Sequence, residues 1–257
     1  GESCARRLRV GVIRHGESLN NIHEAVGWEA YVKNREADPE LSGRGYEQAA
    51  LLGPWLQSKG AMVGLSAIDE VWVSPHRRTL LTALPTATAI GASPLVTTDV
   101  FEAGGIYEAN EDYTAFVAAG GLTRGAMAEA FPTYVIPDDV DDEHGWYRGS
   151  GKETDDECRL RAAGVAARLK ARALAATESE TLLLVVHYDF INALLDAFVR
   201  PDTSGAFDRW KLYNTGITVF DLDGATGDLS FLTVNAVPHL LDTPHLLSGF
   251  PVDAQTA

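Results

Sequence analysis

Three apolar runs in this chain each end abruptly in side chains that can hold an anion. Residues 8–13, LRVGVI, run into Arg14, His15 and Gly16. Residues 181–187, TLLLVVH, end in His187, and residues 70–74, EVWVS, are followed closely by Arg77 and Arg78. An arginine presents a planar fork that donates two parallel hydrogen bonds to phosphate oxygens. Gathered in one place, Arg14, His15, His187 and one of Arg77 or Arg78 make a site for a dianion such as phosphate.

Such gathering needs strands that end at a common edge. The near-continuous apolar character of 8–13 and 181–187 fits strands buried on both faces of a parallel sheet. In open α/β sheets ligands bind beyond the carboxyl ends of the strands, where helix N-termini also collect and favour anions. Further strands are read at 215–223 and 228–235, joined by a DGATGD turn. Helices are read at 42–60, 76–90, 156–176 and 188–198. Ser42 is the expected cap of the first, and Pro54 is expected to bend or shorten it. Alternating strands and helices predict an α/β three-layer sandwich: a mostly parallel central sheet with helices on both faces. The stretch 99–155 breaks the rhythm, being rich in Gly, Asp and Pro. It is read as a cap inserted at about 102–155 into a single domain spanning 1–257, and no internal repeat is seen.

The chain has 257 residues and a formal net charge of −15, which argues against a nucleic-acid partner. Residues 99–157 alone hold 15 acidic side chains against Arg124, Arg148 and Lys152. No apolar run approaches the roughly 20 residues of a membrane helix, and no signal peptide is recognisable, though a leader removed ahead of Gly1 stays open. With only Cys4 and Cys158, neither a disulfide framework nor a cysteine metal site is expected, and the cytoplasm is the expected compartment. His23, His76, His144, His239 and His245 lie scattered without metal-ligand spacing, so no metal or cofactor is expected.

Taken as a set, RHGES followed by Asn21, DPELSGRGYEQA (38–49), SPHRRTLLTA (74–83), VVHYDFINALL (185–195) and NTGITVFDLD (214–223) resemble the blocks of the histidine phosphatase superfamily, in its phosphoglycerate mutase-like branch. They stand in the family's order and span most of the chain, leaving the middle insertion unmatched. The resemblance implies that His15 is a nucleophile that forms a phosphohistidine. It implies that Arg14, Arg78 and His187 clamp the phosphoryl oxygens, with Asn21 adding a hydrogen bond. Register within the block selects Arg78 over Arg77. Gly16 is expected to allow close backbone approach to the ring or the phosphate. A glutamate is implied as the acid that protonates the leaving group. Glu102 is the candidate and Glu108 its competitor.

Two residues depart from the family pattern. Tyr188 stands where the family often has Gly, and His76 where it usually has Leu. Both are expected at the pocket rim, with Tyr188 stacking on or hydrogen-bonding the organic part of a substrate. Asp189 either orients His187 or caps the following helix. The implied activity is metal-independent hydrolysis of a small phosphomonoester metabolite, with a homodimer compatible. The alternatives are a phosphoglycerate mutase-type phosphotransferase and a catalytically silent phospho-ligand-binding member. Mutase caps carry a paired-arginine stretch, whereas Arg124 stands alone here. Retention of Arg14, His15, Arg78, Glu102 and His187 weighs against a silent protein. An acidic cap lying close over the site would repel a second phosphate or carboxylate, which predicts poor use of polyanions. The same acids turned outward would only aid solubility. Tyr107, Tyr113, Trp146 and Tyr147 are the candidates for an aromatic wall.

Overall fold

The computed structural model describes residues 6–200 and 205–249; Cys4 lies outside them. The strands are β1 (Arg7–Arg14), β2 (Glu70–Val73), β3 (Leu95–Val96), β4 (Tyr107–Ala109), β5 (Phe116–Ala118), β6 (Glu180–Val186), β7 (Ile217–Asp223) and β8 (Leu229–Ala236). The α-helices are α1 (Leu19–Val26), α2 (Trp28–Asn34), α3 (Gly43–Lys59), α4 (Arg77–Ile90), α5 (Arg124–Ala130), α6 (Asp155–Ala175) and α7 (Tyr188–Val199). Six strands form one sheet in the order β3-β2-β6-β1-β7-β8. The first four run parallel; β7 pairs antiparallel with β1, and β8 antiparallel with β7.

Alternation along the central strands separates two cores. Leu8, Val10 and Val12 of β1, with Leu182, Leu184 and Val186 of β6, pack against α6 and α7. Ile13 and Leu183 face the other way, onto Leu52 and Leu56 of α3. Helices therefore cover both faces, as the unbroken apolar runs demand.

Pro54 does not shorten the helix: α3 runs through it to Lys59. A Cβ on its neighbour Gly53 would come within 2.6 Å of the Pro85 carbonyl oxygen, so α3 and α4 cross in close backbone contact there. That packing outweighs the single intrahelical hydrogen bond that proline removes.

The stretch 102–155 holds more regular structure than its composition suggests. It contains the β4–β5 hairpin and α5. Ile106, Met127, Phe131, Val140, Trp146 and Tyr147 form one buried cluster with Val73, Leu80, Val96 and Val185 of the sheet and α4. The segment is thus seated on the main core.

Candidate active site

The strand register assembles the site. In the β1–β6 ladder Arg14 lies opposite Val186, and the His15 amide donates to the Val186 carbonyl at 2.9 Å. His15 and His187 therefore leave adjacent strand ends together, with ring centroids 5.2 Å apart. One strand further, the Ser74 amide donates to the Val185 carbonyl, and the Ser74 hydroxyl lies 2.7 Å from His187 Nε2. Helix α4 starts just beyond and carries Arg78 in its first turn.

His15 Nδ1 lies 2.6 Å from the Gly16 carbonyl oxygen. A carbonyl only accepts, so Nδ1 carries the hydrogen and Nε2 keeps its lone pair. Burial, and then the charges of Arg78 and Arg14, hold the imidazole pKa well below 6.5. From behind, Asn214 Nδ2 donates to the His15 carbonyl at 3.0 Å. The Thr215 amide donates to the carbonyls of Arg14 and His15. Thr215 does so at φ +55°, a costly conformation for a β-branched residue.

The two arginines differ. Arg14 Nη1 donates to the carbonyls of Leu212 and Gly249, and its guanidinium lies 4.9 Å from the Tyr188 ring centroid. Arg78 is 8 % exposed, and its guanidinium has no hydrogen-bond or ion-pair partner among the described residues. Arg77 instead pairs with Glu40 at the surface, at 3.0 Å.

Glu102 sits at the start of α7. Its Oε1 accepts from the amides of Ala103 (2.9 Å) and Phe190 (3.0 Å). Burial raises its pKa, opposed by Arg78 and by these amides. Arg161 of α6 anchors the loop that carries it, donating to the carbonyls of Asp99 and Phe101 and making a bidentate pair with Glu153. Glu108 is exposed on β4, facing Val117 of β5 in the ladder.

A cavity of about 620 Å³ opens over these groups. Arg14, His15, Arg78 and Glu102 line its base, and Asn21, Tyr188 and Asp189 its side. Several expectations are corrected here. His187 is fully buried beside His15 rather than lining the cavity, and its Nδ1 has no partner among the described residues. His76 is no stray rim residue: it is 1 % exposed, lines the cavity base, and lies 4.6 Å from the His187 ring. Gly16 is small for a different reason. A Cβ there would meet the Gly45 carbonyl oxygen at 2.7 Å, where α3 begins. Asn21 Oδ1 accepts from the Ser18 amide in a capping box at the start of α1, and its Nδ2 donates to Glu24. Asp189 lies in the first turn of α7, and Ser74, not Asp189, holds His187 Nε2.

The aromatic wall is also revised. Tyr107 and Tyr113 line the cavity, but Trp146 and Tyr147 are buried in the cap core. Trp28 and Tyr31 of α2 take their place. Of the cap's acids only Glu102 and Asp155 reach the cavity, and Lys152 and Arg35 line it as well. The repulsion expected against polyanions loses its basis, because most of that charge faces away. Residues missed at the sequence level are Ser74, Glu24, Trp28, Tyr31, Arg35 and Lys152; only Ser74, inside a family block, carried a signal. Among the described residues no three His, Cys, Asp or Glu are arranged to hold a metal ion.

The chain belongs to the histidine phosphatase superfamily. The family model that matches is that of branch 1, over residues 10–235. Solved structures of similar fold include a provisionally named α-ribazole-5′-P phosphatase from Escherichia coli, at 17% identity and TM-score 0.57 over 90% of this chain and 97% of that one. Phosphoserine phosphatase from Entamoeba histolytica shares 19% identity, with TM-score 0.54 over 91% and 100% of the two chains. A mycobacterial glucosyl-3-phosphoglycerate phosphatase shares 19% identity, with TM-score 0.53 over 90% and 100%. No curated protein sequence matches the chain. No helix among the described residues is long and apolar enough to cross a membrane.

Proposed function

We propose that this protein hydrolyses small phosphomonoesters through a phosphohistidine on His15, without a metal. One observation carries the reading: Arg78, 8 % exposed and unpaired among the described residues, shares the cavity base with an imidazole whose Nδ1–H is already committed. Burial penalises that guanidinium, the charges of Glu102 and Asp38 offset part of the penalty, and a phosphoryl group in the cavity supplies the hydrogen-bonding oxygens it lacks. The phosphatases of similar fold support the same class.

In the first step the Nε2 lone pair of His15 attacks phosphorus, and the bond from phosphorus to the ester oxygen breaks. The leaving alkoxide takes the proton of Glu102. Arg14 and Arg78 neutralise charge on the equatorial oxygens. In the second step water attacks phosphorus and gives its proton to Glu102. The P–N bond breaks, and inorganic phosphate and neutral His15 are released. Ser74 and His76 hold His187 beside the nucleophile.

The test is hydrolysis of p-nitrophenyl phosphate in EDTA by the wild type and His15→Ala. Turnover in the wild type, lost in the variant, together with an acid-labile phosphate trapped on His15, is the expected result. Equal turnover in both would overturn the assignment of the nucleophile.

A further inference from the structure

Helices α1 and α2 contribute nothing to the core: neither holds a buried residue. Their inner face is spent on the cavity instead. Asn21, Glu24, Trp28, Tyr31 and Arg35 recur every three or four residues, and all five line it. Trp28 is 66 % exposed, and its ring lies against those of Tyr31 (5.7 Å between centroids) and Tyr113 (5.1 Å). Tyr113 reaches them from the β4–β5 hairpin at φ +55°, where an aromatic residue is strained. Its hydroxyl is tied to that of Tyr107 at 2.6 Å. An aromatic side chain left open to solvent at a cavity mouth, and a strained one holding it from the other side, mark a binding surface rather than packing.

The chemistry of the ligand follows from the ring geometry. The rings around Trp28 already hold a cation of the protein itself: Lys152 Nζ lies 5.6 Å from the Tyr113 centroid and 5.4 Å from that of Tyr107. Tyr107 already carries the Arg35 guanidinium at 3.8 Å. What stays open is most of the Trp28 side chain, 66 % exposed, on the wall of a cavity far larger than a phosphoryl group. We propose that Trp28, held by Tyr31 and Tyr113, is a leaving-group subsite that selects phosphomonoesters whose alcohol carries a ring able to stack on an indole, whether a flat arene or the C–H face of a sugar. This rests on the phosphatase reading and names its substrate class.

The test uses three primary alkyl monoesters, so that leaving-group basicity is similar: 2-phenylethyl phosphate, glucose 6-phosphate and n-butyl phosphate. Wild type is expected to prefer at least one ring substrate over the butyl ester in kcat/KM. Trp28→Ala should cost that substrate about tenfold, mostly in KM, and leave the butyl ester within twofold. Trp28→Phe should recover most of the loss. Whether the phenyl or the glucosyl ester responds tells arene from sugar. A Trp28→Ala effect equal on all three esters, or absent from all, would overturn the proposal. If the wild type hydrolyses neither these esters nor p-nitrophenyl phosphate, the phosphatase reading fails. Calorimetric binding of 2-phenylethylphosphonate, a glucose 6-phosphonate analogue and butylphosphonate to both proteins then decides the subsite: a ring preference lost in Trp28→Ala supports it, and no such preference refutes it.

Discussion

Replacing Arg161 with Met tests the structure where stability and chemistry meet. The guanidinium is 12 % exposed and its partner Glu153 9 %, with contacts of 2.8 and 2.7 Å to the two carboxylate oxygens. It also donates to the Asp99 and Phe101 carbonyls at 3.1 and 2.9 Å and lies 3.5 Å over the Phe101 ring. Methionine keeps the stem but leaves a buried carboxylate and two carbonyls without partners. Breaking such a buried pair costs about 3–5 kcal/mol. For a chain of this size each kcal/mol moves Tm by about 2–4 °C, so a drop of about 6–20 °C is expected in a thermal melt. Adding Glu153→Gln removes the stranded charge and should recover part of the drop. Because the same carbonyls anchor the loop bearing Glu102, the residual kcat should fall more for an alkyl phosphate than for p-nitrophenyl phosphate. A Tm within about 2 °C of wild type, with unchanged kinetics, would refute the anchoring role.

Glu102→Gln should lower kcat for an alkyl monoester by about 10²–10⁴-fold and that for p-nitrophenyl phosphate far less, since p-nitrophenolate leaves without a proton. In wild type, kcat/KM for the alkyl ester should fall on the acid side only below pH 6.5, because burial and the two arginines depress the His15 pKa. It should fall on the alkaline side as Glu102, raised by burial, loses its proton, and Glu102→Gln should abolish that limb. Arg78→Ala should cost at least about 10²-fold in kcat/KM and weaken inhibition by inorganic phosphate. Arg77→Ala, which breaks only a surface pair, should stay within threefold. His239 is 7 % exposed, and burial lowers its pKa to about 4. The unfolded chain then binds the proton first, so stability present above pH 6.5 is lost as pH falls through about 4, by about 3 kcal/mol from this residue. Denaturant melts of His239→Gln should show a shallower acid decline; an unchanged slope would remove His239 from the account.

The sheet and the base of the site are legible in sequence because burial on both faces writes continuous apolar runs, and the chemical residues sit at their ends. Arg78 is separable from Arg77 only through family register, which the burial of one and the surface pair of the other match. The cavity wall is another matter. Helices α1 and α2 bury no residue, so no core-facing apolar stripe announces them or the roles of Trp28, Tyr31 and Arg35. Trp146 and Tyr147 have the composition of a wall, yet they fill the cap core, because composition carries no direction. The cap's acids mislead in the same way. His76 reads as one of several scattered histidines until the turn into α4 brings it against His187.

The strand at the heart of the sheet, β6, pairs with β1 on one side and β2 on the other, and β1's remaining edge belongs to β7. Both partners of β1 come from the last third of the chain. During synthesis the first strand therefore emerges with neither edge occupied and waits until about residue 180 for a neighbour. At ribosomal rates that wait is on the order of ten seconds. An apolar ribbon with two open edges is a template for wrong pairing with other nascent chains. The 171 residues between His15 and His187 thus make the candidate site one of the last features of the molecule to form, and its assembly a sign that the chain has closed correctly.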